Sequence, residues 1–198
     1  MGMHDPSASD EAASPTREQF PRILAAARAG ADWAWRDLYA VIAPALTRYL
    51  RARGVPDADD VVGETFIRVV RSIDGFEGDE GQFRTWVFTI GRNLVVDEVR
   101  KRGRRPSNAT PDEGLTAAGP AGDTEDDAMR RLGTDRVREI LARLSPDQRD
   151  VLLLRVLGGL TIAEIAEVVG KREGAVKMLQ ARGVAALRKQ IATGAVTL

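Results

Sequence analysis

The sequence predicts an all-α protein made of two small helical domains joined by a flexible linker. Three observations carry this. Apolar residues recur at helical spacing through about 20–102 and again through about 137–189, and nowhere do they alternate with the period of two expected of a strand. Between Arg104 and Leu132 the text becomes RRPSNATPDEGLTAAGPAGDTEDDAMRRL, where Pro, Gly, Ala, Thr and acidic residues replace that periodicity, as in a linker. The first fifteen residues, MGMHDPSASDEAASP, have almost nothing to bury and are expected to be disordered.

Each helix has its own signals. Thr16 and Gln19 fit a capping box that opens the first, and Gly30 closes it. DWAWRDLYAVIAPALTRYLRARG then runs to Gly54 with Leu38, Ile42, Leu46, Tyr49 and Leu50 at helical spacing. Pro56 opens a third helix to about Ile73, and a fourth is expected from about Gln82 to Arg102. After the linker, Ser145-Pro146 marks a helix start and Gly158-Gly159 a break. Thr161 and Glu164 form a capping box, and Gly170 permits a turn into a helix from about Arg172, which together make a helix-turn-helix. The resulting division is a tail at 1–15, a first domain at 16–105, a linker at 106–132, a second domain at 133–190 and a short tail at 191–198.

Composition excludes several chemistries. The 198 residues carry 29 basic and 29 acidic side chains, so any grip on phosphate must come from local segregation of charge. Segregation is present: RKRGRR at 100–105 carries five positive charges, while Asp112 to Asp127 holds six acidic residues and no Lys or Arg. There is no cysteine and a single histidine, His4, which removes disulfides, thiolate chemistry, Cys/His zinc sites and His-based triads. No catalytic residue, metal ligand or cofactor site is expected. No run approaches the roughly 20 apolar residues that span a bilayer, and the N-terminus lacks a hydrophobic signal core, so a cytoplasmic location is expected.

Two helices carry a second, polar face. Advancing about 100° per residue through DADDVVGETFIRVVRSI groups Val62, Phe66, Val69 and Ile73 as a buried stripe and puts Asp57, Asp60 and Glu64 opposite. Such carboxylates fit a solvated face favoured by the helix dipole, a magnesium site, or a surface that docks on a basic partner helix. A magnesium site needs a second carboxylate cluster and a large apolar cavity, for which the chain has neither the residues nor the length. On the fourth helix, Phe83, Val87, Ile90 and Leu94 form the packing stripe. Beside it, Trp86, Thr89, Asn93, Asp97 and Arg100 share a sector suited to unstacked bases, with an indole to stack, an amide for base edges and cations for phosphate.

Together these segments resemble the extracytoplasmic-function group of alternative sigma factors, the small two-domain specificity subunits of bacterial RNA polymerase. DLYAVIAPALTRYL, DADDVVGETFIRVV and FRTWVFTIGRNLVVDEVRKRGRR are similar to sigma region 2, and LARLSPDQRDVLLLRVLGGLTIAEIAEVVGKREGAVK to sigma region 4. The resemblance implies a region 2 bundle and a region 4 helix-turn-helix, with core RNA polymerase and promoter DNA as partners, no enzymatic activity, and an anti-sigma protein as the restraint many members have. It implies that Asp57, Asp60, Glu64 and Phe66 contact core polymerase. Trp86, Thr89, Asn93, Arg100, Lys101, Arg102, Arg104 and Arg105 would recognise and open the downstream promoter element. Thr161, Arg172, Lys177, Met178, Ala181 and Arg182 would meet the upstream element as duplex.

The recognition helix departs from the frequent family pattern GTVKSRLHRA: Ala175 replaces the hydroxyl, Met178 the serine and Leu179 the arginine. Val176, Leu179, Gly183 and Leu187 give its inward face, leaving Gly174, Lys177, Met178, Ala181, Arg182 and Arg188 outward. Such a face offers thymine-methyl contacts and phosphate anchors rather than base-edge hydrogen bonds. A DNA-binding regulator that never joins polymerase would share this helix-turn-helix but leave residues 57–105 without a role. A metal-dependent lyase or nuclease would show itself by binding magnesium.

Overall fold

The computed structural model describes residues 19–104, 137 and 139–193, with backbone alone at 102–104. The expected N-terminal tail (1–15), the linker (106–132) and residues 194–198 of the expected C-terminal tail lie outside the described residues, whereas 191 and 192, expected in that tail, complete the last helix. No strand occurs among them.

The first domain begins with α1 (Phe20–Arg28), whose N-cap position is held by Gln19; Thr16, expected as that cap, lies outside the described residues. Helix α2 (Asp32–Arg53) is the long central element and ends at Gly54, whose φ of 89° is a left-handed cap that L side chains rarely adopt. There the Gly54 and Val55 N–H groups donate to the carbonyls of Arg51 and Leu50. Helix α3 (Ala58–Ser72) continues into a 3-10 turn at Ile73–Gly75, and α4 spans Glu80–Arg104. The start of α4 precedes the sequence expectation because Asp79 and Gln82 cap it reciprocally, each backbone N–H donating to the other's side chain at 2.9 Å.

The expected stripes pack as the period requires: Val62, Phe66, Val69 and Ile73 are buried, with Leu38, Ile42, Leu46, Tyr49 and Leu50 of α2. An aromatic cluster closes the other end of the bundle. The Phe83 ring lies 5.6 Å from Phe20, 5.3 Å from Phe76 and 5.8 Å from Trp86, so α1 shares the core of α4.

In the second domain a short helical stretch ending at 142 leads to α5 (Pro146–Val156), α6 (Ile162–Val169) and α7 (Glu173–Ala192). Both Ser145 with Gln148 and Thr161 with Glu164 form complete capping boxes, and Gly170 turns the chain with φ 66°. Where α7 crosses α5, a Cβ on Gly183 would stand 2.9 Å from Leu152 Cδ1. Gly183→Val should therefore overpack this crossing and lower the stability of the second domain by about 1–3 kcal/mol in chemical denaturation, with Gly183→Ala intermediate.

The packing stripe expected on α4 needs correction: Phe83 and Val87 are buried but Ile90 and Leu94 only half so, while Thr85 and Phe88, off that stripe, are buried. On α6, Ile165, Ala166 and Val168 are buried and Ile162 and Val169 only partly so. The cause is tertiary: α6 packs along α4 and α5 packs on α2, so the two domains share a contact surface that a one-stripe reading of each helix does not anticipate.

Candidate nucleic-acid and polymerase interface

Helix α3 exposes Asp57 and Asp60 and half-exposes Glu64, which pairs with Arg68 at 3.0 Å, one turn on. Asp59 pairs with Arg51 of α2 at 2.6 Å. Phe66, expected among the docking residues, is only 8% exposed. Its ring sits 4.7 Å from that of Tyr39, because the position belongs to the buried stripe and the acidic face lies across the helix. Tyr39, 48% exposed, presents an aromatic surface over it, and on α3 Ile67 at 46% and Val70 at 50% are exposed as well. Periodicity could have found Ile67 and Val70, since both are apolar residues off the packing stripe; Tyr39 depended on how α2 meets α3.

The sector expected to meet unpaired DNA is only partly brought together. Trp86 is half-buried and its ring stacks on Phe76 at 5.0 Å and 21°, so one face of the indole is already occupied. Thr89 spends its hydroxyl on the Thr85 carbonyl at 2.8 Å. Asn93, Asp97, Arg100 and Lys101 are exposed, with Asp97 and Arg100 at 3.9 Å; the side chains of Arg102 and Arg104, and the whole of Arg105, lie outside the described residues. Tertiary structure adds what sequence order hid. Arg68, Arg71 and Ser72 of α3 join Trp86, Ile90 and Asn93 of α4 around an open cleft of about 330 Å³. The loop beside it is held from α1, where Arg28 donates from Nε to the Ile73 carbonyl at 3.2 Å and from Nη2 to the Phe76 carbonyl.

In the second domain, Lys177, Met178, Ala181 and Arg182 are all exposed along α7, and exposed Arg172 stands at its N-cap position. Met178 is 53% exposed. Lys177 lies 3.7 Å from Glu173, an exposed pair that phosphate can displace at little cost. Thr161 uses its side-chain oxygen to accept from the Glu164 N–H at 3.3 Å.

Between the domains lies an ionic group that the sequence reading did not single out. The Asp150 carboxylate, in α5, is 3% exposed and receives Arg53 Nη1 at 3.2 Å and Arg92 Nε at 3.1 Å, from α2 and α4. Arg53 Nη1 also donates to the Tyr49 hydroxyl at 2.9 Å. Burial pushes the Asp150 carboxyl above its ordinary value, and the two guanidiniums offset part of that rise. Tyr49 is pushed well above the usual phenol range by burial and by the neighbouring carboxylate. Among the described residues no helix is long and apolar enough to cross a membrane, and no group of three or more His, Cys, Asp or Glu could hold a metal.

A bundle with a basic, indole-lined cleft coupled to a helix-turn-helix defines the sigma-70 class of transcription factor: residues 38–105 match the Sigma-70 region 2 family and residues 134–187 the Sigma-70, region 4 family. The chain is 35% identical over 180 residues to the ECF RNA polymerase sigma factor BldN of Streptomyces coelicolor, covering 90% of this chain and 68% of that one. It is 31% identical over 183 residues to SigD of Mycobacterium tuberculosis, covering 88% and 84%. The structure of CnrH in complex with the cytosolic domain of CnrY is similar with a TM-score of 0.64 at 27% identity, covering 87% of this chain and 96% of CnrH. The chain belongs to the extracytoplasmic-function sigma factors, and it directs RNA polymerase to promoters.

Proposed function

We propose that this sigma factor docks on core polymerase through the exposed face of α3, opens promoter DNA at the cleft between α3 and α4, and holds the upstream duplex with α7. The division of labour is 16–105 for docking and opening and 133–190 for the upstream element, in the cytoplasm and without catalysis. The observation that carries this reading is the cleft itself: two arginines from α3 face a half-exposed indole and an exposed amide on α4, the combination that binds single strands by charge and stacking. Arg71 thereby joins Trp86, Asn93, Arg100 and Lys101 as an opening residue, and Phe76 backs the indole. An anti-sigma partner is proposed on the similarity to CnrH, whose structure is a complex with CnrY.

The test is promoter opening in assembled holoenzyme. Arg71→Ala and Asn93→Ala should reduce permanganate-detected melting more than duplex binding, with core affinity unchanged. A lost base contact typically costs ~1–3 kcal/mol. Equal losses in melting and duplex binding would count against the cleft.

For docking, Asp60, Glu64, Tyr39, Ile67 and Val70 form one surface that is acidic and apolar, fitting a basic helical partner with apolar side chains. Reversing Asp60 and Glu64 together should weaken core binding at least about tenfold, since like charges across an interface cost several kcal/mol. Folding should be nearly unaffected, because exposed substitutions stay within about 0.5 kcal/mol. Unchanged core affinity with a normal melting curve would remove the assignment.

A further inference from the structure

We propose that the outward stripe of α7 reads the upstream element through pyrimidine 5-methyl groups, so that 5-methylcytosine can stand in for thymine there. The inference rests on the reading of α7 as the helix that holds the upstream duplex.

Gly174, Met178, Ala181 and Ala185 recur at helical spacing, which confines them to about 60° of the helix surface. All four are exposed, Met178 at 53%. The stripe packs on nothing within the chain, because the inward side of α7 is carried by Val176 and Gly183, both buried. Cations flank it on both edges. Advancing about 100° per residue from Gly174 puts Lys177 about 60° to one side and Arg182 about 80° to the other. Both are exposed. That arrangement complements the major groove, whose floor carries base edges and whose two walls are phosphate. An apolar protein partner would not call for cations on both edges.

Gly174 supports a close approach from outside. A Cβ there would meet nothing within 4 Å, and its φ is not positive, so neither packing within the chain nor backbone conformation asks for glycine. Glycine weakens a helix relative to alanine, and the space it leaves in the first turn of α7 admits base edges.

The chemistry of the stripe decides what it can read. Its side chains are a thioether and methyls, with no amide, hydroxyl or carboxylate among them. Half-buried Gln180 and exposed Glu173 lie about 120° and 100° from Gly174, away from the groove floor. In the major groove the thymine methyl is the base-edge feature that meets apolar side chains favourably. 5-Methylcytosine carries the same methyl at the same ring position. The two pyrimidines differ in their exocyclic group, a carbonyl acceptor in thymine and an amino donor in cytosine, which a surface without hydrogen-bonding side chains does not distinguish.

The test uses the full chain assembled on core polymerase, with an upstream element selected from a randomised library beside a fixed downstream element. The selected element should contain thymine. Replacing each thymine in turn by uracil removes the methyl alone, and should weaken binding about fourfold at one or two positions, the amount expected for one buried methyl. At those positions, with the complementary base matched, 5-methylcytosine should bind nearly as thymine does and cytosine should fall with uracil. Met178→Gln should erase the preference for thymine over uracil at its base pair, while Met178→Leu, which stays apolar, should keep it. Lys177→Ala should weaken all four duplexes alike and leave their order unchanged, as loss of a phosphate contact does. An element selected without thymine, or thymine bound no better than uracil, would overturn methyl reading while leaving α7 on the duplex. A preference for thymine over uracil that survives in both Met178→Gln and Ala181→Gln would overturn the assignment to this stripe. 5-Methylcytosine bound no better than cytosine would overturn the exchange of one pyrimidine for the other. If no upstream sequence is selected, and Lys177→Ala and Arg182→Ala change nothing, the reading of α7 on the upstream duplex fails and methyl reading with it.

Discussion

Phe83→Ala should lower the stability of region 2 by about 3–5 kcal/mol, the cost usual for emptying a fully buried aromatic site. Phe83 is 0% exposed and its ring bridges Phe20 of α1, Phe76 of the loop and Trp86 of α4. Its loss also frees the loop that Phe76 anchors and the indole that Phe76 backs. Promoter opening should therefore fall at temperatures where the variant is still folded. All three tryptophans, Trp33, Trp35 and Trp86, lie in region 2, so intrinsic fluorescence in a denaturant titration follows this domain alone. A loss below about 1 kcal/mol would mean that the cluster repacks, and that Phe83 does not hold α1 to α4.

Asp150→Ala should destabilise the contact between the domains by about 3–5 kcal/mol, because it leaves two guanidiniums, each 16% exposed, facing one another without their carboxylate. The opposite outcome is expected when all three charges go together. In Arg53→Met/Arg92→Met/Asp150→Leu no group is left unpaired, and apolar side chains of similar volume often match or exceed a buried ion group in stability. The single variant should open the chain and the triple variant should keep it closed, read by energy transfer between dyes on Arg36→Cys and Thr193→Cys, both exposed positions in a chain without native cysteine. If the triple variant opens as far as the single one, charge geometry and not packing is what holds the domains.

The helices, their caps and their buried stripes were legible because each depends on residues three or four apart. The helix start at Ser145-Pro146, the Thr161 box, the Gly54 and Gly170 turns and the stripe through Val62, Phe66, Val69 and Ile73 are local chemistry. The resemblance added order and spacing to these faces, and with them the family. Cross-helix partnerships could not be read this way. Nothing in the spacing of α3 says that Arg68 and Arg71 will face Trp86 and Asn93, or that Tyr39 will cover Phe66 and take its place on the surface. A single period assigns each helix one buried face, yet α4 buries Phe83 and Val87 against its own domain while Phe88 meets region 4. Asp150 is the limiting case. In the sequence it is one of 29 acidic residues, and its meaning comes from Arg53, 97 positions earlier, and Arg92, separated by 58. Hydrogen-bonded helical turns are written in neighbouring residues, whereas the burial of a charge is decided only by what the folded chain places around it.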